Sequence, residues 1–206
     1  MDATEAADQI RDATAEEAKA KAEDDQFRRR AAIAIGVLAM LLAIASLGGD
    51  NATKEMVNSN ILASDTWAFY QAKNIRQTTY QIAAEDLHAQ LTTQPNLAAD
   101  ARAQLQQRLD RYQATIDRYE SDPTSNEGKQ ELTATARGYE ARRAHAQKQD
   151  PNFDYSQALF QIAIVLGSVS IVALARPLLG LALALGGVAT LLMLNGFFLF
   201  VDLPIG

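Results

Sequence analysis

The chain contains no cysteine. That absence excludes a disulfide framework, a thiolate zinc site and a thiol nucleophile, so whatever lies outside a membrane is held by packing alone. Histidine is scarce, at His88 and His145 only. Glu85-Asp86-x-His88 sets carboxylates near an imidazole, but those spacings do not make a compact metal face on a helix, and His145 behind Arg142-Arg143 reads as part of a solvated helix face. No Gly-rich phosphate loop, nucleophile elbow or His-Glu-x-x-His run occurs, and paired carboxylates fall only on exposed helical faces. These absences argue against an enzyme and imply no cofactor.

A basic segment is also missing. Residues 1–30 carry nine acids and six bases, and residues 50–155 carry fifteen acids and twelve bases, so each part has a balance of −3 within a net charge of −6. Neither is a nucleic-acid surface. Trp67, Phe69, Tyr70 and Tyr80 do lie among bases, but Lys73 and Arg76 are too little charge for stacking on a nucleic acid.

What is present is three uncharged apolar runs, concealed by a mean hydropathy of −0.13. Ala31–Gly49 has nineteen residues, entered through Arg28, Arg29 and Arg30. At about 1.5 Å per residue it reaches roughly 28 Å, the hydrocarbon thickness of a bilayer, where only a helix satisfies every backbone group. Residues 156–175 and 178–201 are the other two runs. None of the three holds an ionisable side chain, which argues against a pump or an ion-coupled transporter. Their polar residues are few, with Gln161, Ser168, Ser170, Thr190 and Asn195 the main ones in the second and third runs. Gln161, Thr190 and Asn195 are candidates for pore lining or for interhelical hydrogen bonds, and Asn195 reads as the latter. Small residues recur four apart at Ala32/Gly36, Ala163/Gly167, Gly180/Ala184 and Ala182/Gly186, as at close helix contacts in lipid.

Charge sets the expected orientation. The Arg28–Arg30 run and Arg176, in the tight turn before Pro177, fall on one side, which the positive-inside rule makes cytoplasmic. Ala43-Ile44-Ala45 resembles a cleavage site, but the polar region before it is too long for a signal peptide, so an uncleaved span is expected. Residues 1–30 read as an acidic Ala-rich helix capped at Thr4, with Ile10 and Phe27 its only large apolar residues.

Residues 50–155 are then an excursion outside the cytoplasm, which in a two-membrane bacterium is the periplasm. Gly48-Gly49 is a candidate kink, after which Asp50 or Asn51 caps a renewed helix that ends at Pro95. Val57, Ile61, Ala68, Ile75 and Ile82 step mostly by seven, and a second set, Met56, Ala63, Trp67 and Tyr70, lies beside them. A seam this wide suits a helix with more than one neighbour. Residues 97–120 show a 4-3 alternation through Leu105, Leu109, Tyr112, Ile116 and Tyr119. Ser121–Gly128 breaks the helix at Pro123, residues 129–149 resume it, and Asp150-Pro151-Asn152 is expected to turn before the second span. The two returning pieces sum to nearly the outgoing length, which predicts an antiparallel, coiled-coil-like helical hairpin.

The span ending in Ala-Ser-Leu, the stretch Asp65-x-Trp67-x-x-Tyr70-Gln71-Ala72-Lys73, the long helical excursion and the two closing spans resemble a bacterial membrane family, domain of unknown function family 4337, over about residues 25–200. The resemblance implies three spans and a bacterial inner membrane. It brings no activity, cofactor or catalytic residue. The expected fold is an all-α integral membrane protein of three transmembrane helices. The expected function is non-enzymatic assembly or scaffolding, with Trp67, Tyr70, Leu105, Leu109, Tyr112, Ile116 and Tyr119 as packing residues for a homo-oligomer or a larger membrane complex. A homo-oligomeric channel is the alternative.

Overall fold

The computed structural model describes residues 3–202, with side chains from Arg11 onward except at 12 and 13. Its elements are four helices: α1 (Ala3–Thr93), α2 (Ala99–Glu120), α3 (Lys129–Ala173) and α4 (Arg176–Phe198). No strand occurs among the described residues. Three of the helices, α1, α3 and α4, are long and apolar enough to cross a membrane. Thr4 falls inside α1 rather than before it; its side chain, like that of Ile10, lies outside the described residues.

Two compact units divide the chain, residues 1–53 with 146–206 and residues 54–145. In the first unit, α1, α3 and α4 meet in a core of Leu38, Ala45, Ala52, Phe153, Phe160, Ala163, Ala189 and Met193. Two of the four small-residue pairs mark helix contacts. A side chain at Gly167 would meet Ile35 at 2.9 Å and one at Gly186 would overlap Leu38, whereas Gly36 and Gly180 face open space. The outward residues, among them Ile33, Met40, Val165, Val172 and Leu191, are large and apolar, as a surface solvated by acyl chains requires.

The helices run through two places where the sequence predicts a break. Gly48-Gly49 does not interrupt the chain: α1 runs unbroken through it. The glycines serve close approach, because a side chain at Gly48 would occupy the Phe153 ring, and one at Gly49 would stand 2.9 Å from Gln157 Nε2. Asp150-Pro151-Asn152 is not a turn either, since Pro151 sits inside α3. A proline there sacrifices a backbone hydrogen bond, and Asn152 and Phe153 immediately after it, 3% and 2% exposed, anchor the helix across the defect.

In the second unit, α2 and the first part of α3 pack on α1, and the pairs run in opposite chain order. Asn60 meets Arg143, Trp67 meets Glu140, and Gln77 meets Ile116, Glu120 and Lys129. Tyr80 receives Tyr112 edge-on at 5.3 Å and Tyr119 at 6.0 Å. The break between α2 and α3 lies at Ser121–Gly128, as the sequence suggests.

Candidate functional site

On α1 in the second unit, two stripes of residues run along the helix. The inner stripe, Ser59, Ala63, Tyr70, Gln77, Ala84 and Leu87, is buried or half-buried. Each residue of the outer stripe, Val57, Ile61, Ala68, Ile75 and Ile82, stands two positions before an inner one. Two residues turn a helix by about 200°, so the stripes occupy opposite faces. The outer residues are exposed, at 50% for Val57, 53% for Ile61, 67% for Ile75 and 63% for Ile82.

The packing residues singled out from the sequence lie on the inner side. Trp67 Nε1 donates to Glu140 at 2.8 Å, and its ring meets Tyr70 edge-on at 5.5 Å. Leu105, Leu109, Tyr112, Ile116 and Tyr119 form the less exposed face of α2, with Ile116 buried. Gln77, 4% exposed, is the polar centre of this face. Its amide donates to Ile116 O and to Glu120, both at 3.1 Å, and accepts from Lys129 Nζ at 2.7 Å. The sequence gives no direct signal for it, because Gln77 there is one polar residue among many. Lys73 pairs with Glu127 at 3.1 Å and lies over the rings of Phe69 and Tyr119. His88 borders an open groove of about 460 Å³ with Glu85, Leu109 and Gln113. No group of three or more His, Cys, Asp or Glu among the described residues is placed to hold a metal.

The α2–α3 turn is tied by carboxylates. The Gln77 amide and then Lys129 hold Glu120 below its ordinary pKa. The Ser121 hydroxyl does the same for Glu131, and the Ser125 hydroxyl for Asp122. Depressed carboxylate values stabilise the fold above the unfolded-state pKa and lose that stabilisation as pH falls through the folded value. Amide exchange across Ser121–Gly128 should therefore gain an opening component below about pH 4. Glu131→Gln should shrink that acid-induced component; an unchanged acid profile in this variant would contradict the assignment.

In the first unit, Asn195 is 7% exposed. Its Nδ2 donates to Asn152 Oδ1 at 2.9 Å and to Val201 O at 3.0 Å, and its Oδ1 accepts from Val201 N–H at 2.9 Å. Asn195 thus binds α4 to α3 and closes the end of α4. Thr190 bonds back to Gly186 O at 2.8 Å, and Gln161 is exposed on α3, so the three polar residues do not converge. Asn195→Leu orphans Asn152 Oδ1 and the Val201 N–H. It should lower stability by roughly 1–3 kcal/mol, read as a lower melting temperature in detergent. Phe153, whose ring meets Phe197 edge-on at 4.9 Å, was not evident from the sequence. The Gly48-Gly49 pair was its available signal. Arg28, Arg29 and Arg30 are exposed, and Arg176, the first residue of α4, lies 3.5 Å from Glu23.

Residues 27–199 match the family model described as Domain of unknown function (DUF4337). No curated protein and no solved structure matches the chain.

Proposed function

We propose that this chain, which belongs to the DUF4337 family, is a non-enzymatic assembly or scaffold protein of the bacterial inner membrane. In this reading the N-terminus and Arg176 are cytoplasmic. Residues 54–145 form a periplasmic helical hairpin, and copies of the chain associate through α1. The supporting observation is the outer stripe Val57, Ile61, Ala68, Ile75 and Ile82, which its own chain leaves exposed. A repeat of seven along one face is the pattern a helix presents to another helix. The occupant is a second copy, because α1 then enters the periplasm in the same direction in both chains. Parallel α1 helices bring each stripe residue near its own equivalent.

The lack of native cysteine makes the test clean. Ile75→Cys should yield a disulfide-linked dimer when membranes are oxidised, since Cα atoms about 6 Å apart suit the bond. Asn74→Cys, rotated about 100° away, should link much less. Failure of Ile61→Cys, Ile75→Cys and Ile82→Cys alike to link would overturn the reading.

A further inference from the structure

Glu23, Phe27 and Arg30 of α1 and Arg176, Leu179 and Leu183 of α4 line a groove of about 500 Å³ in the first unit. Its composition is divided. Phe27, Leu179 and Leu183 supply apolar wall, while the two guanidinium groups supply charge at the point where the apolar runs of α1 and α4 begin. Gly180 also lines the groove, and nothing lies within 4 Å of where its side chain would be, so the groove is open along α4. The Glu23–Arg176 pair, 3.5 Å apart with side chains 69% and 67% exposed, is well hydrated and weakly held. Arg30 makes no ion pair among the described residues. The N-terminus of α4, with Pro177 in its first turn, adds partial positive charge at the same place. Two planar guanidinium groups beside a helix N-terminus match a phosphate. An apolar wall running from them into the span matches an acyl chain.

We infer that this groove binds an anionic phospholipid of the cytoplasmic leaflet, its phosphate between Arg30 and Arg176 and one acyl chain passing Gly180 along Leu183. The lipid phosphate replaces Glu23 as the partner of Arg176. The site rests on α1 and α4 crossing a bilayer and is independent of self-association.

The test uses the full chain purified in a neutral detergent, with melting temperature and lipid retention in native mass spectrometry as readouts. Phosphatidylglycerol should raise the melting temperature and be retained about tenfold better than phosphatidylcholine. The double variant Arg30→Gln/Arg176→Gln should lose that preference, and Arg108→Gln/Arg111→Gln on α2 should keep it. Glu23→Gln, which frees Arg176, should strengthen it, so the proposal remains testable if the double variant does not fold. Equal retention of the two lipids, an undiminished preference in the double variant, a weakened one in Glu23→Gln, or an equal melting shift from glycerol 3-phosphate alone would overturn the lipid site. A monomeric particle that still prefers phosphatidylglycerol would overturn the assembly reading and leave this site standing.

Discussion

Ile61→Glu/Ile75→Glu/Ile82→Glu should convert the assembled protein to single chains without unfolding them. In one chain these three side chains are already more than half exposed, and exposed substitutions of this kind cost about 0.5 kcal/mol or less each. In an assembly of parallel α1 helices, each new carboxylate would face its own copy in a desolvated seam. Like charges held together away from water cost several kcal/mol, and about 4 kcal/mol is already a thousandfold in the dissociation constant. The helix content of the variant by circular dichroism should match the parent, while its particle mass in detergent falls to that of one chain. The complementary control is Trp67→Ala, which removes the Glu140 hydrogen bond and the contact with Tyr70. It should destabilise the second unit before it affects association. If the triple variant retains the parent particle mass, the outer stripe is not the seam.

Phe153→Ala should be the most destabilising single change in the first unit. The ring is 2% exposed and touches the space that side chains at Gly48 and Gly196 would fill. Three of its neighbours, Gly48, Gly49 and Gly196, have no side chain to rotate into the vacancy, so the cavity persists on those sides. Truncating a buried Phe costs about 3–5 kcal/mol when the site cannot collapse. The same geometry predicts the reciprocal effect. Gly48→Leu and Gly196→Leu place atoms where the ring stands, and neither can be accommodated without moving α3 from α1 or from α4. Thermal unfolding in detergent should show all three variants melting well below the parent. Gly36→Leu, at a glycine with nothing within 4 Å of its added carbon, should melt close to it. A Phe153→Ala protein that melts with the parent would show that the socket is not a keystone of the first unit.

These contrasts also show what sequence patterning conveys. The three apolar runs are legible because length without charge has one physical outcome in each case, a helix long enough to cross a bilayer. The break at Ser121–Gly128 is legible because Pro123 and a cluster of turn residues coincide. Gly48-Gly49 and Pro151 mislead for a shared reason. Local propensity marks them as breaks, costing roughly 1 kcal/mol per Gly and 3 per Pro in a helix. Tertiary contact overrides that preference, as the Phe153 ring needs the glycines and lies two residues beyond the proline. The outer stripe on α1 is the more apolar of the two, so hydrophobic periodicity cannot tell which one meets α2 and α3. Only the partners do, through Gln77, Tyr80 and Trp67. The small-residue pairs divide the same way: Ala163/Gly167 and Ala182/Gly186 are contacts, while Ala32/Gly36 and Gly180/Ala184 lie outward, and four-residue spacing is common to both.

In the channel alternative, Asn195, Thr190 or Gln161 would face a shared axis. Asn195 spends both ends of its amide on Asn152 and Val201, and Thr190 is bonded to its own helix. Gln161 alone among the three is exposed on the first unit.

Self-association is tested most directly by the mass of the intact particle in nanodiscs, with every co-purifying chain identified. With the lipid and belt protein of the disc subtracted, one species is expected at two or more times 22.4 kDa, with no other chain co-purifying. A particle of 22.4 kDa at every concentration, or a single copy held by foreign chains, would contradict it.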